Sequence, residues 1–254
     1  MLLLFACLAW GGDVEEANAA FEKKDYAKAL QKYKAAGTVG NAFAQLAVGV
    51  MYQGGYGVKK NNAVALKWLK LAAAQGDAKA QGMIGNIYSE GQGVAQNYAE
   101  TAKWHKLAAS QGEAKSQSII GALYYTGQGV GQDYAEALKW FKLAAAQGDV
   151  TAQTGIGLMY YNGQYVVQND AEALKWFKQA AAQGNVKAQT LIGVIYFDKD
   201  YVRAHMWLNL AAAEGEANAV KGRDAIAAKM TAQQISEAQQ LAKECQASQF
   251  KHCD

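Results

Sequence analysis

Proline is absent from this chain of 254 residues. That excludes a proline-rich linker, and the abundant alanine and glycine suit short helices joined by glycine turns. Charge of one sign is also lacking. The formal net charge is +3 and the basic residues are spread along the chain, so the basic stripe of a nucleic-acid-binding surface is missing. Histidine is scarce: His105, His205 and His252 have no second histidine or cysteine at metal-ligand spacing, and neither a metal nor a cofactor is expected. No nucleophile elbow or serine-triad pattern occurs, so no catalytic residue is expected.

Long apolar runs are missing too. The first residues, Leu2 to Ala9, are apolar up to the first charge at Asp13, too short to span a bilayer. The run reads as the hydrophobic part of a secretory signal, with Ala9-Trp10-Gly11 as small-residue cleavage positions. Leu4-Phe5-Ala6-Cys7 also spells a lipoprotein acylation box, which would anchor the protein to a membrane through Cys7. No Lys or Arg precedes the run, which points to a start upstream of Met1. The alternative is a buried N-terminal helical turn.

Cysteine is limited to Cys7, Cys245 and Cys253. If Cys7 leaves or carries lipid, the other two form an even pair that an oxidising compartment would bridge. On one straight helix their eight-residue step spans about 12 Å, beyond disulfide reach, so a bridge requires a turn between them, around Gln246 to Gln249. Otherwise they are two unlinked thiols on a frayed tail.

What the chain does have is a period. Gly49, Gly85, Gly121, Gly157 and Gly193 follow one another at 36 residues. Tyr52, Tyr88, Tyr124, Tyr160 and Tyr196 keep the same step. So do Trp68, Trp104, Trp140 and Trp176, with Trp207 arriving five residues early. A fixed period in the 30s means stacked supersecondary units, none able to bury its apolar face alone. In the third unit, Ser116, Ile120 and Tyr124, with Gln117 and Gly121, lie along one side of a helix. A mid-helix glycine costs about 1 kcal/mol against alanine. Its recurrence predicts a close crossing of two helix backbones. Gly127-Gln128-Gly129-Val130 is then a turn. It lacks the lysine of a P-loop, and Tyr165 replaces its second glycine in the fourth unit, so it is not read as a phosphate cradle. A second helix follows, with Ala137, Trp140, Phe141 and Ala144 as its apolar stripe, Glu136 and Lys139 on the outer side, and Gly148 as its left-handed cap. Each unit is an α-hairpin.

Ala-x-Ala-Gln-x-x-Ile-Gly-x-x-Tyr, Gly-x-Gly-Val and Ala-x-Lys-Trp-x-x-x-Ala-Ala-x-Gln-Gly together resemble Sel1-like repeats, relatives of the tetratricopeptide hairpin. The fold expected is all-α: an α-solenoid of five such hairpins, over 42–77, 78–113, 114–149, 150–185 and 186–216. The fifth lacks the long turn, since Asp198-Lys199-Asp200-Tyr201 replaces it. Residues 1–12 form the signal or lipoprotein segment. Residues 13–41 form an N-terminal helical cap, with two short helices between Glu15 and Ala36. Residues 217–254 form the closing cap, with helices over 217–229 and 231–247, Thr231 as N-cap and the cysteine pair at the end.

Positions alike among the five units hold the fold, while positions that differ are free to specify a ligand. Three before, one after and four after each repeated glycine differ most, and they share one stripe of the first helix. From this stripe the candidate binding residues are Asn86, Ser89, Ser118, Tyr125, Leu158, Tyr161, Thr190 and Phe197, with Tyr125, Tyr161 and Phe197 foremost. The resemblance implies that first helices line the concave face. The alternative is that the stripe packs against the neighbouring second helix. By the same resemblance the expected function is a non-enzymatic scaffold or adaptor of the bacterial envelope, periplasmic, secreted or lipid-anchored, binding a protein or peptide. The second reading is binding of muropeptides or β-lactams, with weak hydrolysis through Ser248, since Ser248-Gln249-Phe250-Lys251 spells Ser-x-x-Lys. The companion motifs are absent, and the repeats lack the cysteine pairs of the β-lactam-associated members.

Overall fold

The computed structural model describes residues 2–250 and Cys253, with side chains from Gly12 onward. Fourteen helices and no strand occur among the described residues. They fall into two compact units, one ending at Asp133 and one starting at Tyr134. In the first, α1 (Leu2–Glu22) and α2 (Tyr26–Thr38) form a cap hairpin. The first repeats follow as α3 (Ala42–Gly54) with α4 (Asn62–Ala74) and α5 (Ala78–Glu90) with α6 (Tyr98–Ser110), and α7 (Ala114–Thr126) closes the unit. In the second unit, α8 (Tyr134–Ala146) precedes the hairpins α9 (Val150–Asn162) with α10 (Asp170–Ala181) and α11 (Val186–Tyr196) with α12 (Tyr201–Ala213). Helices α13 (Ala217–Ala227) and α14 (Ala232–Ala247) end it. Within each unit every first helix packs on its own second helix and on the second helix before it, as α5 does on α6 and α4.

Local chemistry sets these boundaries. Asn41, Asp77 and Glu113 each turn a side-chain oxygen onto the third backbone N–H of α3, α5 and α7, and Asn61 and Asn97 do the same for α4 and α6. The second glycine of the long turn has a further reason to be glycine. A Cβ on Gly57 would lie 2.6 Å from the Tyr26 carbonyl carbon. Tyr165 holds the same left-handed conformation in the fourth repeat, φ 61°, which costs a side-chain-bearing residue about 1–2 kcal/mol.

The recurring mid-helix glycine is a seat for a side chain, which corrects the expectation of a backbone crossing. A Cβ on Gly49 would fall 2.6 Å from Leu69 Cδ2, whereas the nearest backbone atom, Ala65 O, is 3.5 Å away. Gly85 seats His105, Gly157 seats Phe177 and Gly193 seats Leu208 in the same way. The second helix therefore presses a large side chain into a gap that only glycine leaves.

A ladder of buried glutamines ties one repeat to the next. Gln45 Nε2 donates to Gly37 O at 2.9 Å, and its Oε1 accepts from Gln75 Nε2 at 2.8 Å. Gln81 repeats the pattern with Ala73 O and Gln111, and Gln153 accepts from Gln183. Gln189 ends the series with its Oε1 unpartnered, because Glu214 stands where the other repeats place the donating glutamine.

At the ends, α1 starts well before the expected Glu15. Nothing between Leu2 and Gly12 stops a helix, since proline and an N-cap signal are both missing there. The side chains of the apolar run, Cys7 included, lie outside the described residues, and so does the fate of Cys7. No helix of the described residues is long and apolar enough to cross a membrane. Thr231 and Gln234 form a reciprocal capping box on α14. Beyond it Gln249 and Phe250 take left-handed conformations, the chain reverses, and Cys245 and Cys253 are bridged with their Cα atoms 4.7 Å apart. The turn lies where the disulfide required it.

Candidate functional site

Which side of the first helices faces solvent decides where a partner can sit. The outward positions lie six before, two before and one after each repeated glycine. In the first unit these are Phe43, Ala47 and Val50, then Lys79, Met83 and Asn86, then Lys115, Ile119 and Ala122. In the second they are Thr151, Gly155 and Leu158, then Lys187, Leu191 and Val194. Asn86 and Leu158 of the expected stripe are therefore on the open face.

From the third repeat on, the position three before the glycine is turned inward, which departs from the expected stripe. Ser118 is 3% exposed and Thr154 5%, and each hydroxyl donates to a carbonyl of the preceding turn, Lys115 O and Val150 O. Thr190 is half-buried and bonds Val186 O likewise. This position varies because several small side chains satisfy themselves there. Ser89, half-buried, donates to Asn86 O. Tyr161 and Leu158 pack on the cluster containing Phe177, Ile192 and Trp207. Phe197 packs beside Leu208, Ala219 and Ile226, with Lys229 Nζ 5.5 Å from its ring centre. Tyr125 is half-buried. Tyr161 and Phe197 thus serve packing with part of each ring.

Two depressions open on the first-helix face of the first unit. One, of about 210 Å³, is an apolar cup formed by Phe21, Tyr33, Phe43, Leu46, Ala47 and Val50. Its rim residue Phe43 is 51% exposed. The other, of about 200 Å³, is polar and lies between α5, α6 and α7, lined by Lys79, Gly82, Met83, Asn86, His105, Glu113, Lys115 and Ser116. His105, read from sequence as a packed or half-exposed side chain, is 1% exposed and lines this cavity. Its Nδ1 is 2.9 Å from Ser116 Oγ, and its Nε2 has no partner. Burial is the main cause of a pKa lowered to about 4; Glu113 opposes that shift and Lys115 reinforces it. The ring is neutral near pH 7.

The second helices present a different surface. Leu71 and Leu107 in the first unit are exposed singly among lysines, whereas Leu143 in the second lines a depression of about 640 Å³ with Leu138 and Tyr165. Their lysines and glutamates are further engaged than the sequence indicated: Glu100 and Glu136 accept the indole N–H of Trp104 and Trp140 as well as pairing with Lys103 and Lys139. Ser248, the serine of the Ser-x-x-Lys string, donates to Cys245 O at 2.8 Å. Lys251 and His252 lie outside the described residues. Among the described residues no cluster of three or more potential metal ligands occurs.

Comparison with known proteins places these features in a family. The Sel1 repeat model matches residues 42–77, 78–113, 114–149, 150–185 and 187–216. A Sel1 repeat protein from Oxalobacter formigenes is similar at 32% identity and a TM-score of 0.76, over 84% of this chain and 87% of that one. A protective antigen of uropathogenic Escherichia coli with an SLR fold is similar at 27% identity and a TM-score of 0.83, over 95% of this chain. The chain spans 55% of the length of that antigen. No curated protein matches the chain by sequence.

Proposed function

The chain belongs to the Sel1 repeat family, a fold of protein–protein interaction scaffolds, and from that premise we propose that it is a non-enzymatic adaptor of the bacterial cell envelope. Its partner is a protein or peptide segment laid along the open face of the first helices of the first unit. The observation that carries this reading is the change of chemistry along that face in the first unit. An apolar cup at α3 is followed by a polar, lysine-rimmed cavity at α5 to α7. A preformed surface of this kind binds with little ordering of the scaffold, and Phe43 supplies an aromatic anchor. Asn86 lies on that face in the first unit, and Leu158 holds the corresponding open position in the second. The location rests on the Cys245–Cys253 bridge, which an oxidising compartment maintains, and is supported by the likeness to an antigen.

Photo-crosslinking tests both parts. A benzophenone amino acid placed at Phe43 is expected to capture a discrete protein from the envelope fraction, and one placed at Leu107 on the second-helix side is not. Equal capture from both positions would remove the first-helix site. Capture confined to the cytosolic fraction would remove the envelope location.

A further inference from the structure

The polar cavity of the first unit is built from departures from the repeat's own pattern. At the position of His105 the other repeats carry Leu69, Phe141, Phe177 and Leu208, all apolar. At the position of Ser116 all four others carry alanine: Ala44, Ala80, Ala152 and Ala188. Asn86 stands where the others have Val50, Ala122, Leu158 and Val194. Gly82 replaces Leu46, Ser118, Thr154 and Thr190. These four changes come from three helices, yet they meet at one cavity. A packed core gains nothing from them. A buried imidazole with an unpartnered nitrogen is a net cost that the apolar siblings avoid.

The hydrogen-bonding chemistry fixes the kind of ligand. Neutral His105 carries one N–H. If it sat on Nε2, a buried donor would be orphaned, the arrangement proteins avoid most strictly. With the proton on Nδ1, the ring donates to Ser116 Oγ, and the hydroxyl proton of Ser116 is left without a protein acceptor. That hydroxyl is covered in the free protein. Gly82 is its window: a Cβ there would come to 3.1 Å from Ser116 Oγ, so any of the sibling side chains would close the approach. Asn86, Lys79 and Lys115 also line the cavity, and neither lysine forms an ion pair among the described residues. Glu113 is engaged with the backbone N–H of Ser116 at 2.5 Å. The rim therefore presents hydrogen-bond donors and a net charge of one positive unit.

We propose that this cavity binds a carboxylate, with Ser116 donating to it from the floor, Asn86 from the side, and Lys79 and Lys115 pairing with it at the mouth. One negative charge matches the rim better than the two of a phosphate. The inference rests on the scaffold reading, because the cavity lies on the face assigned to the partner, and it makes the partner's anchor an acidic side chain or a free C-terminus.

Histidine-ring ¹⁵N spectra of the whole protein test the site without any partner. The probes are N-acetylglutamate amide containing only the side-chain carboxylate, N-acetylalanine containing only the terminal one, and inorganic phosphate. Saturable movement of the His105 ring signals with either carboxylate is expected, and the probe that binds identifies the source. Gly82→Thr and Ser116→Ala, which restore sibling residues, are expected to weaken that binding at least tenfold, and Ser118→Ala to leave it unchanged. No saturation at tens of millimolar, binding of phosphate alone, or unaltered binding in Gly82→Thr would overturn the site. Carboxylate binding without a captured protein partner would uphold the site and remove the adaptor. A captured partner without carboxylate binding would do the reverse.

Discussion

At the scale of single residues, His105 makes the protein sensitive to acid. Its ordinary pKa is 6.5, and burial lowers it to about 4 in the fold. Below pH 6.5 the unfolded chain takes up a proton that the native ring refuses. The contribution of this residue is therefore intact above pH 6.5 and is lost as pH falls toward 4, by about 3 kcal/mol in total. His105→Leu, the residue its sibling Leu69 supplies, is expected to flatten the fall in urea midpoint between pH 7 and pH 4.5. An unchanged slope would show that the ring titrates normally in the fold. His205, also lowered by burial, remains in both proteins and sets the residual slope. None of this was legible from the sequence, where Gly82 and His105 are single deviations on different helices of one repeat and Ser116 a deviation in the next. Only the packing of α6 between α5 and α7 brings them together. The sequence also misplaced part of the ligand stripe, because variation among repeats does not separate Ser118, buried and bonded to its own backbone, from Asn86 on the open face.

At the scale of the elements, the hairpins, their closing glycine caps and the left-handed turns were legible, since the period and the glycine turns are local signals. The reason for the recurring glycines was not. The periodicity marks Gly49 as special, but only the structure shows Leu69 seated over it. The glutamine ladder was present in the repeat as a pair of recurring letters, with its partners about 30 residues apart. It yields a prediction at this scale. Gln189 Oε1 is buried without a donor, and Glu214 occupies the donor's place. Glu214→Gln is expected to complete the last rung and stabilise the fold by about 1–3 kcal/mol, the penalty of an unsatisfied buried group. Thermal denaturation measures it, and a variant no more stable than the parent would show that the ladder's final rung cannot form.

For the molecule as a whole, the repeats supply two kinds of surface from one plan. The second helices of the first unit expose isolated leucines among lysines, as Leu107 at 44% does, which is ordinary for a solvated helix. The first helices of the first unit gather Phe43, Leu46, Ala47 and Val50 into one cup and place a polar cavity farther along. At the other end Cys245 is buried against Trp207 and Phe177, and the bridge to Cys253 keeps Phe250 stacked on Trp207 with ring centres 6.4 Å apart. The chain closes its last core covalently and leaves its first face open.

The central claim is that partners bind through that open face. Once a partner is captured, its affinity for Val50→Lys and for Leu107→Lys measures the claim most directly, by titration calorimetry on variants whose melting matches the parent. Val50→Lys is expected to weaken binding at least tenfold, about 1.4 kcal/mol or more, and Leu107→Lys to leave it unchanged. Loss of binding in Leu107→Lys with Val50→Lys unaffected would place the partner on the second helices and contradict the claim.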